Sequence, residues 1–235
     1  MTTRRNFLRN SVLVTAIVVA ICVAGHSVAN DPATGKLKAG VARETITPEL
    51  GGLLAGYGSD KPSTAVHDDL TVTALAIEQG KTRTVLMSVT VCLIDNDLCA
   101  KLRTMCGEAA GIPSSNVIIA ATHTHSGPVT SEGGDAGKDE AKNEVAIYCN
   151  EILIPKCVAA VRASVMEMKP VTMGVAKTES KVGINRRQIL PNNRVILGQN
   201  PWGAYDSEMT VISFKSEDGK PFANVIHCTA HCTAI

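Results

Sequence analysis

The stretch from Thr82 to Ala121 limits the choice of fold more than any other part of this chain. Thr82 to Val91 is rich in β-branched and apolar residues, and Val117-Ile118-Ile119-Ala120-Ala121 is a second short apolar run. Between them, Asp95 or Asn96 can cap a helix running to about Ala110, with Leu98, Leu102 and Met105 on one stripe and Gly111 just past its end. A strand, a helix of about fifteen residues and a strand form a crossover unit, whose two strands lie parallel and adjacent in a buried sheet. The expected class is therefore α/β, with a mixed, partly parallel sheet and flanking helices.

The remaining segments fit around that unit. Thr45-Ile46-Thr47 reads as a short strand stopped at Pro48, and Glu49 to Gly58 is a Gly-rich loop whose backbone can approach another segment closely. Leu70 to Glu78 and the run from Thr82 form a hairpin across Gln79-Gly80-Lys81. An acidic, Gly-rich loop from Ser131 to Asp139 precedes a helical stretch from about Glu140 to Met168, interrupted near Pro155. Beyond Pro170 the pattern returns to strands, including Thr210 to Lys215, the turn Glu217-Asp218-Gly219, and Phe222 to Thr229. The pattern still reads as strand where the chain stops at Ile235, so the domain is expected to be incomplete at its C-terminus.

Residues 1–29 read as an export signal: three arginines and no acid in Met1 to Arg9, an apolar run from Val12 to Gly25, then small residues at Ser27-Val28-Ala29. Thr3-Arg4-Arg5-Asn6-Phe7-Leu8 is twin-arginine-like, which points to a periplasmic or extracellular destination. The apolar run is shorter than the roughly 20 residues that span a bilayer, so cleavage is expected rather than anchoring, with at most peripheral membrane contact. Of the 23 basic residues, 20 remain after cleavage against 22 acidic ones, a mildly acidic domain. Aromatic residues make up 3% of the chain and basic residues do not cluster beyond the signal, so no nucleic-acid partner is expected. Eight cysteines less Cys22 leave seven, an odd number without framework spacing. Cys92, Cys99, Cys106, Cys149 and Cys157 read as small buried hydrophobes, with one or two bridges still open.

Three stretches carry chemistry. His123 and His125 lie just past the C-terminal end of a strand, where open α/β sheets place ligands, and a period of two sends both imidazoles from one face. Such a pair suits a metal or an acid/base site, or else two polar side chains hydrogen-bonded at a loop mouth. In His227-Cys228-Thr229-Ala230-His231-Cys232, a strand would turn both histidines one way and both cysteines the other, making the cysteines packing residues. A helix would gather all four into a Cys/His cluster, but the β-rich flank favours the strand. In Gly183-Ile184-Asn185-Arg186-Arg187 a buried guanidinium would offer donors to a substrate oxygen, whereas paired arginines are as readily solvated. Signals of serine hydrolases, phosphate-binding loops and dinucleotide folds are absent.

Four stretches together resemble the neutral/alkaline, non-lysosomal ceramidase family, the zinc amidases. They are Lys38 to Pro48 leading into Gly56-Tyr57-Gly58; Ala121-Thr122-His123-Thr124-His125-Ser126-Gly127-Pro128; Ile184 to Arg187; and Gly219-Lys220-Pro221 through His231. The resemblance implies that residues 30–235 form the N-terminal part of such an α/β domain, with His123 and His231 as zinc ligands and His227 a non-ligand. It also implies that His125 stands beside the metal and that Arg186 contacts the substrate or the developing oxyanion. A zinc-activated water would then cleave the N-acyl bond of a ceramide to a sphingoid base and a fatty acid. Family members complete the zinc shell with a glutamate and a tyrosine further downstream, beyond Ile235, so this length of chain is expected to be inactive by itself. Cys232 also departs from the proline or glycine that often follows the ligand histidine.

Three other readings compete. The same fold can serve a hydrolase of another amide or ester, because fold and metal do not choose the substrate. A non-catalytic exported binding or scaffold protein would keep the sheet without a working zinc shell. A Cys/His metal-storage or redox role for His227 to Cys232 requires metal binding that survives loss of His123.

Overall fold

The computed structural model describes residues 35–56, 61–131 and 139–232. The export segment, Tyr57-Gly58 and most of the acidic Gly-rich loop lie outside the described residues. Seven strands form one mixed sheet. β1 (Lys38–Thr45), β2 (Thr71–Gln79), β3 (Thr82–Val89), β4 (Val117–Ala121) and β5 (Lys169–Glu179) are joined by two later strands, which we label β8 (Glu208–Ser216) and β9 (Pro221–Cys228). Two short strands, β6 (Arg187–Ile189) and β7 (Val195–Leu197), pair separately as a hairpin. The order across the sheet is β4-β3-β2-β1-β5-β8-β9. As the crossover unit requires, β3 and β4 are parallel, with Val85 opposite Val117 and Val89 opposite Ala121; every other pair is antiparallel.

The hairpin between β2 and β3 turns through Gly80 and Lys81. Gly80 has φ 59°, the left-handed conformation that two-residue hairpin loops need and that glycine adopts without steric cost. Helix α1 (Asn96–Ala110) begins where Asp95 accepts the Leu98 amide at 2.9 Å and ends at Gly111 in the left-handed conformation. Its buried side chains are Leu98, Leu102, Cys106 and Ala110. Met105, expected on that stripe, is 37% exposed. The inward face rotates by one residue because Cys106, small and apolar, fits flush against the sheet.

The second helical stretch is α2 (Asp139–Ile147), a π-helical segment (Tyr148–Leu153) and α3 (Ile154–Met166). Pro155 sits in the first turn of α3. There its missing amide costs least, so the irregularity expected near it lies in the preceding π-helical segment and not at the proline. α3 buries Ile154, Cys157, Ala160 and Val161 against the sheet. Its backbone comes so close to β1 that a Cβ on Gly40 would lie 1.9 Å from the Ser164 carbonyl oxygen.

The main core lies between the helices and β1 to β4, and includes Val72, Val85, Met87, Leu102, Leu153 and Val161. β5 joins β1 only through Lys38 opposite Pro170 and Ala39 opposite Lys169. A second, smaller core of Ala39, Leu75, Val171 and Phe214 gathers residues from both sides of that joint. The strand β9 ends at Cys228, and Thr229 to Cys232 have no regular structure. The strand alternation expected through Cys232 therefore fails. Cys228, at the end of β9 opposite Met209, and Cys232, beyond it, are exposed rather than packed. Cys92, Cys106, Cys149 and Cys157 are buried, as expected of small hydrophobes, and Cys99 is intermediate.

Candidate metal centre

The parallel pair β3 and β4 fixes where the histidines emerge. Past Val89 and Ala121, the two chains stay joined: the Thr122 amide donates to the Val89 carbonyl and the His123 amide to the Val91 carbonyl, each at 3.0 Å. His123 then takes φ 61°, an uncommon backbone state for a residue with a side chain. The strand ends at Ala121, so the period-two argument does not extend to these residues. A left-handed residue, not strand pleating, brings the His123 and His125 rings to a centroid separation of 5.0 Å.

His231 joins them from the far end of the described chain. Its ring centroid is 4.6 Å from that of His123 and 5.0 Å from that of His125. The Nε2 atoms of His125 and His231 are 3.1 Å apart. Two nitrogens held by one tetrahedral zinc at ~2.0–2.1 Å lie about 3.3–3.4 Å from each other, so this separation already suits a shared ion. His123 Nδ1 lies 2.8 Å from the Cys92 carbonyl oxygen. Donation to that carbonyl puts the proton on Nδ1 and leaves the lone pair on Nε2, the backing that metal-binding histidines commonly have. His231 is held below its ordinary imidazole pKa, first by desolvation, then by the Arg186 charge and by His123 and His125. A lowered pKa leaves more of the ring neutral at a given pH, and the neutral ring is the form that binds metals.

Glycines make the convergence possible. Gly56, with φ 85°, lies against the His125 ring, where a Cβ would sit 2.4 Å from Nδ1. The loop bearing it is tied to the histidine loop by Ala55 N–H donating to the Gly127 carbonyl at 2.9 Å and Val129 N–H to the Leu53 carbonyl at 3.1 Å. Gly183 lies against the chain leading to His231, where a Cβ would be 2.2 Å from the Thr229 carbonyl oxygen. That contact carries the segment with Arg186 toward the histidines. Asn185 holds the same segment through its side-chain amide to the Ala204 carbonyl, at 2.8 Å. A recess of about 300 Å³ opens there, lined by Asn185, Arg186, Arg187, Leu197 and Tyr205 among others.

The structure therefore brings together His123, His125, His231 and, through its field, Arg186. His227 pairs with Thr210 inside β9 and is exposed, outside the histidine triangle. One residue was missed by sequence reasoning. Cys92, read as a packing hydrophobe, is buried, but its Sγ lies 3.6 Å from His123 Nδ1. Cys92, His123 and His125 each place a ligand atom within 4.8 Å of the others. The available signal was its position three residues past the end of β3, at the sheet end that also carries His123.

No protein-family model matches the chain, and no curated protein sequence does. Solved structures do. A ceramidase complexed with C2 superposes with a TM-score of 0.63 at 20% identity, and the neutral ceramidase from Pseudomonas aeruginosa with 0.62 at 18%. The fold is neutral-ceramidase-like. Each match covers 82% of this chain and 31% of the other, so the chain spans about a third of the length of the ceramidases it resembles.

Proposed function

We propose that this chain carries the metal centre of a zinc-dependent amide hydrolase of ceramidase type, which cleaves the N-acyl bond of a sphingoid lipid. The observation that carries the reading is the 3.1 Å approach of His125 Nε2 to His231 Nε2, between loops 106 residues apart, within a neutral-ceramidase-like fold. His123, His125 and His231 would hold the ion, and three protein ligands are what a catalytic zinc normally has. This reading moves His125 from beside the metal into its ligand set. Zinc bound there supplies polarisation of the amide carbonyl and a water nucleophile at neutral pH.

The chain's own residues set the rest. The Cys92 carbonyl fixes the tautomer of His123, and Gly56 fixes the plane of His125. Arg186, close enough for its charge to be felt at His231, provides donors for the oxygen on which negative charge develops. The recess beside it receives the part of the substrate next to the scissile bond. In this reading the protein is exported by the twin-arginine route and meets its lipid at or near a membrane surface; among the described residues no helix is long and apolar enough to cross one.

Elemental analysis of the purified chain, beside His123→Ala, His125→Ala and His231→Ala, tests the centre. Near-stoichiometric zinc in the parent, lost in each variant, is expected. Zinc retained by His125→Ala would return His125 to a position beside the metal, and a zinc-free parent would end the reading. Comparing turnover of a fluorescent ceramide with that of a short N-acyl amine by the full-length protein then separates a ceramidase from a hydrolase of other amides.

A further inference from the structure

The β6–β7 hairpin turns apolar side chains toward solvent. Its outward face carries the cross-strand pairs Ile189–Val195 and Arg187–Leu197, while Gln188 and Ile196 turn the other way and are partly covered. A solvated face of an antiparallel pair is ordinarily polar. Here Ile189, Val195 and Leu197 are each more than half exposed, and so are Val182 before the hairpin and Trp202 after it. The Trp202 turn is fastened to the same segment. Asn200 donates its side-chain amide to the Arg187 carbonyl at 3.0 Å and its backbone amide to the Asn185 carbonyl at 2.9 Å. Single exposed apolar residues are normal, but a concentration of them marks a docking face. The stretch is also of one sign. Residues 181–205 hold Lys181, Arg186, Arg187 and Arg194 and not one aspartate or glutamate, in a chain with 22 acidic residues. Among the described residues none of these four cations is in an ion pair. Arg187 and Leu197 line the recess beside Arg186, so a protein surface laid over this face would close that recess, whereas a lipid surface would present substrate to it.

We propose that the β6–β7 hairpin and the Trp202 turn form the face by which this chain docks on an anionic lipid surface. Trp202 and the outward aliphatic side chains enter the headgroup boundary, and the four cations stand against the lipid phosphates. The proposal takes its lipid substrate from the functional reading above. Tryptophan suits that boundary because its ring is apolar and its N–H still needs a polar partner. The affinity of such a face combines buried apolar area with charge attraction. Each cation close to an anionic surface contributes up to about fivefold in binding, and the attraction fades within a Debye length, so salt weakens it.

Trp202 is the only tryptophan in the chain, so its emission reports this face and not the apolar run of residues 1–29. The chain is titrated with vesicles of phosphatidylcholine alone and of equimolar phosphatidylcholine and phosphatidylglycerol. With the anionic vesicles the emission is expected to move to shorter wavelength and to be quenched by lipid brominated on its acyl chains. Phosphatidylcholine alone should require at least about tenfold more lipid, a difference that added salt removes. Ile189→Ser/Val195→Ser should raise the lipid needed about tenfold on either vesicle, and Lys181→Gln/Arg194→Gln about 5–25-fold on the anionic one only. Emission that stays solvent-like and unquenched overturns the proposal, even if vesicles and chain sediment together. So does equal binding to both vesicles, and so does emission already blue-shifted without lipid in proportion to protein concentration, which would give the face to a second copy. The parent alone supplies these outcomes, so a variant that fails to fold does not rescue the idea. Zinc content of the same samples keeps the two readings apart: docking without zinc ends the metal reading alone, and zinc without docking ends this one alone.

Discussion

Gly56 does for His125 what the Cys92 carbonyl does for His123: each fixes one imidazole without touching the point where the nitrogens meet. A methyl group at position 56 would lie 2.4 Å from His125 Nδ1, on a backbone whose φ of 85° already disfavours a side chain. Gly56→Ala is therefore expected to push the His125 ring aside and weaken zinc binding about 10–100-fold, the usual cost of disturbing the support of a ligand. Zinc affinity measured by chelator competition checks this, with far-ultraviolet circular dichroism unchanged. At this scale the sequence was readable where residue types are rare: a histidine pair past a strand and a Gly-rich loop announce a close approach. Cys92 was not readable, because Val91-Cys92-Leu93 looks like core, and its neighbour His123 is 31 residues away.

β1 and α3 are held in close contact, and Gly40 makes it possible. Gly40→Ala places a Cβ against the Ser164 carbonyl and must lift the helix, so the expected loss is about 1–3 kcal/mol, as for other overpacked cores. A lowered urea midpoint at unchanged slope would register it. The β2–β3 hairpin carries a pH dependence. Glu78 is held below its ordinary value of 4.5 mainly by its hydrogen bond from Arg83, with burial opposing and Lys38 assisting. A depressed carboxylate stabilises the fold fully above its unfolded pKa, and that contribution disappears as pH falls through the folded value. The gap in urea midpoint between the parent and Glu78→Gln should therefore be present at pH 7 and close as pH drops below 4.5. Elements defined by local rules, the crossover unit and the capped helix α1, were legible from sequence. The inward face of α1 and the end of β9 were not, since both depend on which neighbours the sheet supplies.

Across the whole molecule, apolar burial is concentrated near the helices, while the β6–β7 region is largely open. The single tryptophan, Trp202, lies in that region and is 94% exposed. Its emission is expected at a solvent-like wavelength in the native chain, with little shift on urea unfolding, even as circular dichroism records a full transition. A large blue shift in the native state would show that another surface covers this face in solution.

The last strand closes at Cys228, yet His231 arrives three residues later. A chain stopped after Cys228 would keep every described strand, both cores and two of the three imidazoles, and should match the parent in circular dichroism while binding zinc more weakly. Screens that judge such chains by expression or folding would pass it as intact. If the histidines hold an ion as proposed, binding depends on a segment outside the sheet, and a change there can erase it without leaving a trace in the strands.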